Sequence, residues 1–260
     1  MKGTTIIIAA ALFGIMGTAH ASDSKVTLTT GVDYSSGAYG GTQDTDMTYI
    51  PVIGKYETGL YTFKLTVPYI RVTAPSGGTV VSVDPSGRLI RRSVGPRTTN
   101  SGLGDIVAGV TYNAFNHAPT KVAVDIGGKI KFGTADDAKG LGTGETDYSV
   151  QADAYKTYDK VTALGTLGYR VLGNPAGVNL NNVWFASAGG SYKFSAETSG
   201  GVMLDWREPS TSSGASMREL VAYATHKLNE NYKLQGYMIH GFTDASPDWG
   251  IGAMVSVSLK

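Results

Sequence analysis

Residues 61–72 read YTFKLTVPYIRV. Sorted by parity, Tyr61, Phe63, Leu65, Val67 and Tyr69 fall on one face. Thr62, Lys64, Thr66 and Pro68 fall on the other, which turns apolar at Ile70 and Val72. Alternation of this kind is the mark of a β-strand, whose successive side chains point to opposite sides. In a soluble sandwich the apolar face would be the core. In a transmembrane barrel it would face lipid, and Lys64 would look into the lumen. The rest of the chain is read to decide between the two.

The chain has 260 residues, 35 of them glycine, no cysteine and a charged fraction of 17%. Residues 1–21 read as a signal peptide: Lys2 precedes an uncharged run from Ile6 to Gly17, and Ala19-His20-Ala21 offers small residues for cleavage before Ser22. That run is short for a membrane-spanning helix, and no later segment reaches 18 consecutive apolar residues. Residues 22–260 are then one β-barrel domain. Of the 22 Lys+Arg only Lys2 leaves with the signal peptide, so the remainder balances 21 Asp+Glu. A neutral total argues against nucleic acid as a partner. With no cysteine, backbone pairing and packing must hold the fold.

Twelve strands are expected near 26–36, 46–56, 60–72, 102–115, 121–132, 147–157, 160–172, 183–194, 198–208, 217–228, 231–243 and 248–259. At about ten residues or more, each has the length a tilted strand needs to cross a bilayer. Every second connection is short, as at 57–59, 158–159 and 229–230, and the others are mostly long. Short periplasmic turns opposite long extracellular loops are the asymmetry of an outer-membrane barrel. Aromatics collect toward strand ends, with Tyr56, Tyr61, Tyr112 and Tyr158 near short turns and Tyr69, Trp206 and Trp249 near long loops. Two interfacial belts produce this pattern. The expected fold is therefore all-β: a single antiparallel, up-and-down, twelve-stranded transmembrane barrel in a Gram-negative outer membrane. Pro68 cannot donate a ladder hydrogen bond, so it is expected at a bulge or where pairing loosens.

On the lumen parity stand the acids Asp105, Asp125, Asp153 and Asp205 and the bases Lys64, Lys129, Lys131, Arg170, Lys193 and Arg207. Opposed charges across a watered bore set solute preference. They also form salt bridges that stiffen or plug an interior. A partly constricted lumen accommodates both. The strand at 217–228 is ambiguous, because Glu219, Val221 and Tyr223 oppose Arg218, Leu220 and Ala222. The loop at 73–101 carries Arg88, Arg91, Arg92 and Arg97 against Asp84. As a basic extracellular loop it would attract anionic solutes or lipopolysaccharide phosphates, or fold inward as a constriction. Asp136, Asp137, Glu145 and Asp147 flank a glycine-rich loop with no EF-hand spacing, and no metal is expected there. His117, His226 and His240 are the histidines after residue 21, and no nucleophile elbow, zinc motif or phosphate loop accompanies them. Neither catalysis nor a cofactor is expected.

Residues 101–115, SGLGDIVAGVTYNAF, and 129–156, KIKFGTADDAKGLGTGETDYSVQADAYK, carry a family resemblance. The chain resembles the outer-membrane transporters grouped as the "meta-pathway of phenol degradation" family. Gly102, Gly104, Asp105, Gly140, Gly142 and Gly144 match its motif positions as structural residues. The resemblance implies a β-barrel that passes small, aromatic or apolar compounds. Two functions stay open: a monomeric diffusion channel, and a plugged surface barrel whose basic loop binds lipopolysaccharide or a partner. The barrel-assembly machinery is an expected partner, although the chain ends Val257-Ser258-Leu259-Lys260 where such barrels commonly end in an aromatic residue.

Overall fold

The computed structural model describes residues 24–75, 79–84, 86–92 and 95–259. Residues 1–21, expected to be a signal peptide, lie outside them. Alternation along the chain becomes strands β1 (Lys25–Gly37), β2 (Thr45–Thr58), β3 (Tyr61–Pro75), β4 (Thr79–Val83), β5 (Leu89–Arg92) and β6 (Arg97–Leu103). Next come β7 (Val107–His117), β8 (Val122–Lys131), β9 (Asp147–Tyr158), β10 (Val161–Val171) and β11 (Val183–Lys193). The last four are β12 (Thr198–Arg207), β13 (Met217–Lys227), β14 (Tyr232–Gly241) and β15 (Trp249–Leu259).

Neighbouring wall strands pair antiparallel, and β15 returns to pair with β1 from Val26↔Leu259 to Ser36↔Trp249. Closure leaves the barrel without an edge, so its backbone groups are satisfied within the wall. β6 and β7 together make one wall position. β3 pairs with β7 through Thr66↔Val107 and with β6 from Tyr69↔Leu103 onward. The wall thus has twelve positions, and β4–β5 is a separate hairpin.

The outward side carries the apolar residues. Tyr61, Phe63, Leu65 and Tyr69 are exposed, while Thr66, Pro68, Ile70 and Val72 between or beyond them are buried. Val150 is 62% exposed, whereas Asp153, on the opposite face of the same strand, is 8% exposed. A soluble protein would reverse that order, so the apolar band is a lipid face.

Pro68 lies at the break between β6 and β7, where Gly104, Asp105 and Ile106 stand opposite Val67 and Pro68. This is a bulge in which several backbone groups find partners outside the ladder. Gly104 N–H donates to the Pro68 carbonyl at 2.8 Å, and Ile106 N–H donates to Thr134 Oγ1 at 2.9 Å. The Ile106 carbonyl accepts from Phe132 N–H at 2.8 Å. Proline demands no partner there, and Asp105, on the lumen parity of β7, is 1% exposed within the bulge.

The faces make a direct test. Val110 is exposed on the outward side and Thr111 is half-buried on the inward side. Val110→Arg should destabilise the barrel by about 2–4 kcal/mol, the cost of arginine near a bilayer midplane. Thr111→Arg should fold as the wild type does. Urea unfolding in lipid vesicles separates the two, and damage confined to Thr111→Arg would exchange the faces.

Candidate functional site: the barrel interior

The register lines up inward-facing charges in rows that cross the wall. One row runs Lys55↔Lys64, Lys64↔Gly109, Gly109↔Lys129, Lys129↔Ser149 and Ser149↔Arg170. The second runs Asn113↔Asp125, Asp125↔Asp153, Asp153↔Thr166, Thr166↔Ser187, Ser187↔Asp205 and Asp205↔Glu219. Each starts near the short-turn rim, at Lys55 and Asn113, and ends near the long-loop rim, at Arg170 and Glu219. On β8 the cationic and acidic rows are four residues apart, roughly 13 Å along a strand. Gln151 spans the gap: Lys129 Nζ donates to its Oε1 at 2.6 Å, and its Nε2 donates to Asp153 at 2.7 Å. Asn113 and Thr166 donate to Asp125 and Asp153, each at 2.6 Å, and Ser187 donates to Asp205. Hydroxyls and amides thus hold the carboxylates in place, and the charges run side by side along one wall of the bore as two oblique lines.

In the long-loop half the interior is filled. Lys131 Nζ donates to Asp105 Oδ2 at 2.7 Å, to the Glu145 carbonyl at 2.8 Å and to Thr143 Oγ1 at 3.2 Å. Asp147 lies 3.6 Å from Lys131 and accepts from Arg170 at 2.5 Å. Asp105 also accepts from Ala135 N–H at 2.9 Å, which ties the 132–146 loop to the wall. The two motifs of the family resemblance meet at this cluster. A Cβ on Gly142 would stand 2.9 Å from Asp105 Oδ2 and 2.7 Å from Ala135 Cβ, so the loop could not approach with a larger residue.

The β4–β5 hairpin fills the adjacent space. Val81, Ser82, Val83, Asp84, Ser86, Arg88 and Ile90 are all buried. Arg207 donates to Ser82 Oγ at 2.9 Å, and Val83 N–H donates to Ser210 Oγ at 3.0 Å. At its turn, Gly87 takes a φ of +94° and lies against Lys131 and Asp105. Arg88 therefore does not belong to an exposed basic loop. Its Nε donates to Asp84 Oδ2 at 3.0 Å, and the pair is neutral and buried.

The other expected residues divide. Lys64 and Lys129 are half-buried in the lumen, and Asp125, Lys131, Asp153, Arg170, Asp205 and Arg207 are buried. Lys193 is exposed at the short-turn rim. Arg91 and Arg92 are exposed, and Arg92 pairs with Asp244 at 3.1 Å. Arg97 belongs to β6 and pairs with Asp46. In the acidic loop Asp147 turns inward. Asp136 stays at the surface, where its hydrogen bond from Lys139 holds the carboxyl below the usual carboxylate range. Among the described residues no three His, Asp or Glu converge as a metal site. His117 meets Thr120 at 2.7 Å, His226 meets Thr198 at 2.8 Å, and His240 packs edge-on to Phe242 on the outer face.

One wall was not anticipated. Met47, Tyr49, Ile70, Met203, Val221, Tyr223, Tyr237, Ile239 and Met254 form an apolar, aromatic arc inside β2–β3 and β12–β15. Its signal was the stretches with apolar residues at both parities, such as MTYIPVI at 47–53 and Leu220 to Tyr223. Tyr237 also donates to Asp33 at 2.8 Å.

The family model described as "Putative MetA-pathway of phenol degradation" matches residues 17–259, and the chain belongs to that family. An outer membrane channel of Pseudomonas putida F1 shares the fold with a TM-score of 0.68 at 15% identity, covering 95% of this chain and 98% of that one. The NanC porin gives 0.56 at 10% identity, over 90% of this chain and 99% of the porin. The translocator domain of the autotransporter NalP from Neisseria meningitidis gives 0.50 at 14%, over 100% and 95% of the two chains. No curated protein matches the sequence. Barrel and family place the protein in the bacterial outer membrane.

Removing Lys131 should leave Asp105 and Asp147 buried beside each other. Lys131→Met is expected to cost about 3–5 kcal/mol, the usual penalty for breaking a buried pair. Adding Asp105→Leu should recover much of it, and thermal unfolding of the four proteins in the double-mutant cycle measures the coupling.

Proposed function

We propose that the barrel is an outer-membrane channel that passes small solutes by diffusion through a constricted lumen, without catalysis. The observation that carries this reading is the two-sided interior: lines of fixed opposite charge on one side and an apolar, aromatic arc on the other. Opposed charges orient a polar group, and the arc takes a ring or short chain. Small aromatic or apolar compounds with a polar end suit such a bore. The family's description, which names phenol degradation, agrees with that solute class.

The β4–β5 hairpin is the constriction in this reading. Its packing also favours a second one, a plugged barrel that acts as a surface protein, with Arg91 and Arg92 exposed toward lipopolysaccharide. The closed sheet needs no second copy, so the channel works as a monomer after insertion by the assembly machinery. Short turns face the periplasm. A cysteine at Ser212, an exposed position of the 208–216 loop, should then react with an impermeant maleimide on intact cells, and one at Ala196 should not.

Single-channel recording separates the two readings. Wild-type protein should conduct, and replacing 79–92 by a short Gly-Ser linker should raise conductance. Lys129→Glu reverses one charge in the cationic row without touching the lipid face. The reversal potential under a salt gradient should shift toward cation preference, with unfolding unchanged. Silence from both wild-type and hairpin-deleted barrels would sink the channel and favour the plug.

A further inference from the structure

Cations in the two halves of the bore have different surroundings. In the long-loop half Arg88, Lys131 and Arg170 each reach a carboxylate within 3.0 Å. Lys64, on the cationic row, makes no hydrogen bond and no ion pair among the described residues, and the charges nearest it are Lys129 and Lys55. Lys55 has its own partner, Glu57, at 2.9 Å. The inward positions beside Lys64 carry no carboxylate: they are Thr62 and Thr66 on β3 and Gly109, Thr111 and Asn113 on β7. Lys129, two strands away, donates to Gln151 Oε1 at 2.6 Å. An ammonium has three donors, so Lys129 keeps two and Lys64 all three.

The geometry sets these two lysines around one place. The register Lys64↔Gly109 and Gly109↔Lys129 puts them on either side of Gly109, about 10 Å apart at two strand spacings. Gly109 has no side chain to fill the gap. A Cβ there would stand 3.2 Å from Lys129 Cγ and 3.3 Å from the Gly128 carbonyl. Gln151 holds the neighbouring acid, donating to Asp153 at 2.7 Å, and so stands between that carboxylate and Lys129. The place is open to the bore: Lys64, Gly109, Thr111, Lys129 and Gln151 are half-exposed, whereas Asp125, Asp153, Lys131 and Arg170 are buried. An unpaired charge inside a bore walled off by hydrocarbon is costly. A carboxylate relieves it, since its two oxygens accept from both ammonium groups.

We infer that Lys64 and Lys129, set on either side of Gly109, form a seat for the carboxylate of a small aromatic acid. The inference deepens the channel reading and rests on it for the aromatic part and for a role in passage. The carboxylate rests on the two lysines alone. A single negative charge suits the seat, because the acidic row begins roughly 13 Å along β8 and opposes a larger one. Aromatic acids are held midway along the bore, and their neutral counterparts are not. Binding itself needs no conduction.

Isothermal titration of the full-length mature barrel in neutral detergent at low salt tests it, with benzoate as the probe and benzyl alcohol as its neutral counterpart. Wild-type protein should bind benzoate at least tenfold more tightly than benzyl alcohol, and added salt should weaken the benzoate binding. Lys64→Gln should weaken benzoate binding tenfold or more, and Lys64→Arg, which keeps the charge, should restore it. Gly109→Ala, which keeps every charge but displaces the Lys129 stem, should weaken it several-fold with the melting temperature retained. Lys160→Gln, at an exposed position of a short turn, should bind as wild type. Equal binding of benzoate and benzyl alcohol, or undiminished benzoate binding by Lys64→Gln, would overturn the seat. Should Lys64→Gln not fold, undiminished binding by Lys129→Gln and Gly109→Ala would overturn it instead. A barrel that binds benzoate but stays silent in bilayers would remove the channel and keep the seat. One that conducts without binding benzoate would do the reverse.

Discussion

Hydrocarbon offers no partner to a peptide group, and this single constraint organises the molecule. Every strand must find neighbours on both sides, which only closure provides. The pairing of β15 with β1, from one rim to the other, supplies it. Once the wall is closed, the period of two divides the chain into two solvents. Val52, Leu65, Val110, Val150, Leu167 and Ile251 go to lipid because the alternate positions go inside. The interior then need not be apolar, and it can carry charge at positions where a soluble core could not.

That freedom has been used unevenly. Around β7–β13 the wall carries its acids and bases as cross-strand rows, held by Asn113, Gln151, Thr166 and Ser187. Around β2–β3 and β12–β15 it carries tyrosines, methionines and aliphatics. The hairpin occupies the long-loop end between them, pinned by Ser82 to Arg207 and by Ser210 to Val83. The short-turn end is more open, with Lys25 and Lys227 exposed on its inward parity. The bore is therefore asymmetric both around its circumference and along its length.

The legible part of the fold was the part set by local period. Residues 61–72 sorted themselves because lipid demands apolar side chains at every outward position of the span. Pro68 announced the bulge because its missing donor is a property of the residue itself. The 217–228 strand resisted sorting because its lumen face is apolar too: Met217, Val221 and Tyr223 go inward with Glu219. The hairpin was hidden for a different reason. β4 and β5 have only 5 and 4 residues, and their anchors at Arg207, Ser210 and Thr211 lie far along the chain. Arg88 shows the cost of counting charge without pairing, since Asp84, four residues away, neutralises it.

The glycine-rich motifs behind the family resemblance tie these levels together. Gly104 and Asp105 form the bulge opposite Pro68, and Gly142 lets the 140–144 segment rest on Asp105. Thr134 bridges the two, donating to the Gly104 carbonyl at 3.3 Å while accepting from Ile106 N–H. The interruption gives up ladder pairs beside a proline that could not have completed them, and it delivers Asp105 to Lys131. Through Lys131 the 132–146 loop and the turn of the hairpin are fastened to the wall. The residues that make the sheet imperfect are the residues that shape its bore.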